Sequence, residues 1–319
     1  MPFHYYPDRQ SPWVLAHTLE GHARVASLCQ TPFGKLLDRP GLKPLVAQSG
    51  GTLHQGDVQA LAHADRFEAF DGLSRAGLAA LEAVWSLQWQ DFLLSFTHWG
   101  TCGEWDRLQM SRPGGHLVIQ LGFPGDHAAL MGRYLDQSAR RKFEETLHPS
   151  RKTGRPTLAW ARVDIDFDRG EALIEEVQSD WLHLVKAEVE WLAQQNPRSR
   201  ETIANQAYKQ AVFRQYAKLW PNAMLLATLM VLRDVVGLRR IWMHQPGSGA
   251  ILKGIRHTLP PRSLYTALPK AFCFAPVAEM PEFIVPSRRR RQSGVERNRR
   301  KAVQHMARLG VPVFWRLDL

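Results

Sequence analysis

Cysteine is scarce in this 319-residue chain: Cys29, Cys102 and Cys273 are scattered, odd in number and without paired spacing. That excludes a disulfide framework and a cysteine zinc site, and it fits a reducing cytoplasm. The 13 histidines contain no His-Glu-x-x-His or comparable pair, so they read as surface and capping residues, with no metal site. Long apolar runs are missing too. The most apolar helical stretch, Ala223–Leu232, stops at Arg233 and Asp234, far short of the ~20 residues a membrane span needs. The opening MPFHYYPDRQSPW has neither the basic start nor the apolar core of a signal peptide. Lys253 is misplaced for a Walker loop after Pro246-Gly-Ser-Gly249. These absences point to a cytoplasmic protein without a membrane partner.

What is present is ordinary globular composition, 45% hydrophobic and 22% charged, with a net charge of +11. The charge is local. Arg288, Arg289, Arg290, Arg291, Arg297, Arg299, Arg300 and Lys301 face one acid, Glu296, so this segment holds +7 and leaves +4 for the rest. A localised basic run is a candidate attachment point for nucleic acid or another polyanion, the alternative being a solvated linker.

The chain divides into a helical N-terminal region (1–110), an α/β core (111–286) and a basic segment with an amphipathic helix and a terminal edge strand (287–319). In the first region, Leu78, Leu81, Trp85, Trp89, Phe92, Phe96 and Trp99 recur every three or four residues and predict a helix over Leu73–Trp99. Its aromatic stripe reads as core, or else as the lining of a ligand site, and the aromatic N-terminal region as a whole could serve a protein partner. Next come a strand at His116–Leu121 and a helix at Gly125–Leu147. A hairpin follows, with Arg162–Phe167 and Glu171–Trp181 joined by Asp168-Arg169-Gly170. In its first arm Val163, Ile165 and Phe167 point inward and Arg162, Asp164 and Asp166 outward.

Two polar helices (Leu182–Gln195 and Glu201–Leu219) lead to an apolar one opened by Pro221 and ended by Gly237, which must be buried against a sheet. A strand at Leu238–Met243 runs into a Pro246–Gly249 turn and a short helix at Ala250–Ile255. Ala271–Val277 reads as a strand, and Val311–Leu317 as an edge strand because Pro312 cannot donate to a ladder. The order from His116 to Met243 is β-α-β-β-α-β, an α/β (α+β) core. It fits a ferredoxin-like split βαβ arrangement or, with the further α-β at its end, a GNAT-like (N-acetyltransferase) core.

The most informative stretch is EALIEEVQSDW, Glu171–Trp181. Strict alternation puts Ile174, Glu176, Gln178 and Asp180 on one face and Leu173, Glu175 and Val177 on the other. Apolar residues on both faces mark a covered strand, and carboxylates on a covered strand suggest a cleft. EVQSDW resembles the signature of domains found in large polyvalent proteins of phages and other mobile elements. Weaker downstream matches are Pro221, Ile241-Trp242, Gly247–Gly249, Tyr265 and Leu268-Pro269. The resemblance covers residues 159–277 and implies a domain type, with no settled activity or cofactor.

In open α/β sheets ligands collect at the carboxyl ends of strands. Two such ends are polar here: Gln178-Ser179-Asp180-Trp181 and His244-Gln245-Pro246-Gly247-Ser248-Gly249. Candidate roles are Glu176 or Asp180 as general base, His244 as acid or orienter, and Gly247, Ser248 and Gly249 as an anion cradle. Gln178, Ser179, Trp181 and Gln245 are candidate contacts to a small-molecule ligand. The resulting expectation is a GNAT-like transferase or small-ligand enzyme, against a non-catalytic nucleic-acid binder using Arg288–Lys301. The structural alternative is that Glu175 and Glu176 pair with Arg162, Arg239 or Arg240, and that Asp180 only caps a helix. The Gly-rich pyrophosphate loop of acetyltransferases is absent after Trp181.

Overall fold

The computed structural model describes residues 19–39, 42–63, 90–100, 110–112, 114–125, 127–144, 155–255, 261–285, 294–308 and 313–319, with isolated positions including 2–3, 12, 15–16, 148 and 310–311. The architecture is mixed α/β, built on a seven-stranded sheet. Its strands are β1 (Leu93–Trp99), β2 (His116–Gly122), β3 (Thr157–Asp166), β4 (Glu171–Gln178), β5 (Arg240–His244), β6 (Ala275–Val277) and β7 (Phe314–Asp318). They lie in the order β1-β2-β3-β4-β5-β7-β6. Every neighbouring pair is antiparallel except β4 and β5.

Neighbours follow chain order from β1 to β5, and from β1 to β4 each strand runs antiparallel to the one before it. This is not the interleaved order of a split βαβ fold. The parallel pair needs a long crossover, and α1 (Asp180–Gln195), α2 (Arg200–Tyr216) and α3 (Trp220–Met230) supply it. The β3–β4 hairpin forms as its alternation predicts. Asp166 accepts from the N–H groups of Asp168 (3.1 Å) and Arg169 (3.3 Å), and Gly170 takes φ +65° to close the turn.

One sheet face carries Ile119, Leu121, Ala161, Val163, Ile174, Val177, Ile241 and Met243 into the larger core. The crossover helices cover it. Residues 223–229 of α3 are all buried, as an apolar helix without a polar face must be. Leu15, Leu36, Leu53 and Val58 from the N-terminal part join this same core. The opposite face is smaller: Leu173, Trp242 and Phe314 pack under Leu252 of α4 (Pro246–Lys253) and Val303 and Met306 of α5 (Gly294–Arg308).

Several expectations are corrected. Leu93–Trp99 is a strand, not the end of a helix; its register against β2 runs from Leu93–Gly122 to Trp99–His116. Helical spacing of large side chains misleads where backbone pairing is available. Leu78, Leu81, Trp85 and Trp89 lie outside the described residues. Gly125–Leu147 is broken into a helix at His127–Gly132 and a 3-10 segment at Gln137–Phe143, which Asp136 caps through the N–H of Ala139. The helix expected at Ala250 begins at Pro246. The Ala271–Val277 segment becomes a helical turn followed by the short β6. The last strand is internal, paired with β5 and β6, and the edge falls to β6 with its Pro276. Phe167 is 73% exposed in the turn, whereas Arg162, Asp164 and Asp166 are buried beneath the second face.

Candidate functional site

Strict alternation fails in β4 at one point. Arg162 pairs with Glu176 and Val163 with Ile174, so Glu175 is an extra, bulged residue. The bulge reverses the parity of everything after it. Ile174 and Val177 both enter the larger core, while Glu175 and Glu176 both meet partners on the second face. The expectation that Glu175 turns away from Glu176 is thereby corrected.

Glu175 is fully buried and is the hub of a polar cluster. Its carboxylate accepts the Ser111 N–H (3.0 Å), and Oε2 lies 3.0 Å from both Ser111 Oγ and His244 Nε2. Ser111 Oγ and His244 Nε2 are themselves 3.0 Å apart. Burial alone would raise the Glu175 carboxyl. The bond from His244 and the charge of Lys253 outweigh it and hold the carboxyl well below its ordinary range. Burial lowers His244, while the bond to Glu175 and its charge raise it. The trio ties Ser111, and with it residues 110–112, to the sheet.

The cluster continues in two directions. Towards the start of β4, Asp164 receives Arg112 through Nε (2.9 Å) and Nη2 (2.6 Å), and His116 Nε2 lies 3.1 Å from the Arg112 carbonyl. Burial raises Asp164 and lowers His116. His116, Asp164 and Glu175 offer donor atoms within 4.8 Å of one another, which is metal-ligand spacing. Their chemistry does not fit a divalent ion. Asp164, Glu175 and Glu176 already face Arg112, Lys253 and Arg162, so an ion would add two charges to a balanced set.

In the other direction Glu176 pairs with Arg162 at 2.7 Å. The guanidinium also lies 5.6 Å from the ring centre of Trp99. Beyond this pair Gln178 reaches Asp180, whose carboxylate also accepts Trp160 Nε1 (2.7 Å) and lies 2.9 Å from His148 Nδ1. Asp180 is buried, but the His148 side chain is 37% exposed. A polar band thus crosses the second face, closed at Ser111–Glu175–His244 and open to solvent at His148.

The strands bearing the two predicted ends are parallel neighbours, as the crevice idea requires, but their pairing stops at Ile174–Met243. The gap beyond is filled from within the chain. Lys253 Nζ donates to the Glu175 carbonyl, and Tyr265 Oη accepts the Val177 N–H at 3.3 Å. Burial lowers Lys253 and raises Tyr265. Ser179 caps α1 through the Leu182 N–H and donates to the Leu158 carbonyl at 2.6 Å. Trp181 is a core residue that donates to Tyr208 Oη at 2.9 Å.

Gly247, Ser248 and Gly249 form the first turn of α4, not a loop. Ser248 and Gln245 exchange capping bonds, and Gly249 is needed because a Cβ would stand 3.2 Å from His244 Cβ. Close approach is thus the role the contacts give Gly249, and capping that of Ser248. Of the basic residues, Arg288–Arg291 lie outside the described residues. Arg297, Arg299, Arg300 and Lys301 belong to α5, with Arg297 and Lys301 exposed and Arg300 half-buried.

Sequence reasoning missed Ser111, His116, His148, Asp164 and Lys253. Only the Arg-x-Asp alternation of β3 hinted at them, since an outward charged row on a covered strand requires partners. Comparison with protein-family models, curated proteins and solved structures finds no match to this chain.

Proposed function

We propose that the chain is a small-molecule enzyme of transferase type on a GNAT-like core, with His148 as its acid–base group and Asp180 as the residue that positions it. The observation that carries this reading is the His148–Asp180 pair: a partly exposed imidazole anchored at Nδ1 by a buried carboxylate that Trp160 and Gln178 hold in turn. A base oriented by a third group is the arrangement proton transfer to a reacting nucleophile requires. With Nδ1–H directed at Asp180, the opposite ring nitrogen takes the proton from an acceptor hydroxyl or amine at the open end of the band. A mobile-element setting, which the EVQSDW resemblance implies, is compatible with this reading.

The core assignment is supported by the strand order, with one central parallel pair whose pairing ends at Ile174, the residue before a bulge. That likeness is one of fold and leaves chemistry open. It would imply acyl-CoA as donor, and the residues do not fit that group. A ligand lying along a strand edge needs free backbone groups, and those of Glu175 and Val177 are taken by Lys253 and Tyr265. The first turn of α1 presents the Asp180 carboxylate where a phosphate would need donors.

The test is Asp180→Asn with histidine 15N NMR. The amide can keep Trp160 and donate to His148 Nδ1, which moves the imidazole proton to the other nitrogen. The parent should show the Nδ1–H form of His148 and the variant the Nε2–H form. A thermal-shift screen of polar metabolites should then give ligands that both proteins bind and only the parent converts. Identical tautomers, or equal turnover of such a ligand by His148→Ala, would sink the assignment.

A further inference from the structure

We infer that the outward face of α5 is a nucleic-acid surface that holds phosphates without reading bases. Three observations carry it. Val303 and Met306 are buried against Leu173, Trp242, Leu252 and Phe314, so the rotation of this helix about its axis is fixed. At ~100° per residue, Arg297, Lys301 and Arg308 then fall on one stripe opposite the buried side, spread over about 16 Å of helix. All three are exposed.

Among the described residues these cations are also uncompensated. Arg112, Arg162, Arg169, Arg240 and Arg316, on or beside the sheet, each bind a carboxylate. Arg297, Lys301 and Arg308 have no acidic partner among the described residues. Leaving like charges unpaired on one helix face costs self-repulsion, which a bound polyanion removes. In the sequence Arg288–Arg291 precede the helix by two residues, Gln292 and Ser293.

The chemistry selects nucleic acid over other polyanions. A membrane-surface helix needs an apolar face to insert, and the apolar face of α5 is already buried in the protein. An acidic protein partner would want aromatic or aliphatic anchors at the centre of its interface. The described outward positions here are Arg297, Lys301, Gln304, His305, Ala307 and Arg308, with no large apolar side chain. Phosphate contacts need only cations at regular spacing, and they carry affinity without sequence information.

The experiment uses the full chain, a fluorescein-labelled mixed-sequence 20-bp duplex and anisotropy at 50–200 mM KCl. Three phosphate contacts contribute a slope of about −2.7 in log K against log salt. The triple variant Arg297→Ala, Lys301→Ala, Arg308→Ala should lose that part and bind about a hundredfold more weakly near 0.15 M salt, equally for every sequence. Replacing Arg297 and Arg308 with Lys should retain binding, and the melting temperature of the triple variant should not fall, because all three side chains face solvent. Parent that ignores DNA at 50 mM KCl, a triple variant that binds like the parent, or capture by phosphatidylserine vesicles without DNA would each overturn the inference.

Discussion

Replacing Glu175 with Gln is the sharpest test of the buried cluster. The side chain is fully buried, accepts from Ser111 and His244, and offsets the charge of Lys253 3.8 Å away. An amide of the same shape keeps one acceptor oxygen, turns an NH2 group toward His244, and leaves the lysine with one of its two counter-charges, Glu176, also 3.8 Å away. Breaking a buried pair from one side costs about 3–5 kcal/mol. The tautomer of His244 can adapt, so the lower end applies. For 319 residues an unfolding entropy of about 2.1 cal/mol/K per residue converts ~3 kcal/mol into a melting-temperature drop of about 4–5 °C.

The second arm makes the cause identifiable. Adding Lys253→Met removes the cation left with only Glu176, and replacing both members of a buried pair is far cheaper than replacing one. Calorimetry and guanidinium melts should therefore find the double variant more stable than Glu175→Gln alone. If the single variant lies within ~0.5 kcal/mol of the parent, below the ordinary cost of an unsatisfied buried group, the hub role of Glu175 is wrong. If the double variant is no better than the single, Lys253 is not what Glu175 compensates.

Other outcomes follow from the same geometry. His116 and His244 are held below their ordinary value of 6.5 by burial, so the unfolded chain takes up protons first as pH falls. Their contribution is complete above pH 6.5 and is lost below it. Glu175, held below 4.5, adds a further loss under that pH, while the raised Asp164 offsets part of it. Melting temperatures should thus decline from pH 7.5 to 5.5, and His116→Asn with His244→Asn should flatten that decline; a flat parent profile would refute it. Tyr265→Phe leaves the buried Val177 N–H without its acceptor and should cost about 1–3 kcal/mol in a denaturant melt. Isothermal titration with acetyl-CoA should give no binding heat, since the strand edge it would need is already bonded; micromolar binding would contradict the filled gap. In a Cys102→Ser background a thiol reagent should label exposed Cys29 quickly. Buried Cys273, with its thiol pushed up to about 12, should react only on unfolding.

Local periodicity was enough for the elements whose environment is uniform along their length. The β3–β4 hairpin announces itself through two alternations around Asp-Arg-Gly, and α3 through apolar residues on every side. The parallel neighbourhood of β4 and β5 follows from the helices between them. The candidate site was legible only in part: Asp180 and Gln178 were visible as polar residues on a covered strand, but not the partners that give them a role. Those partners, His148 and Trp160, like Ser111 and Lys253 around Glu175, are contributed by remote segments, and no local pattern encodes a contact across 20 to 130 residues.

The bulge at Glu175 made the larger difference. A single extra residue in β4 inverts every side chain after it, and alternation read from sequence has no way to register an insertion that only the facing strand reveals. Tertiary structure likewise decided that Leu93–Trp99 pairs as a strand, that Pro246–Gly249 winds into α4, and that Lys253 and Tyr265 fill the gap between the parallel strands. In each case long-range hydrogen bonding and burial outweighed local preference. What the sequence settled alone was composition, local charge and the strongly periodic elements, because those depend on near neighbours along the chain. Which groups face each other depended on packing.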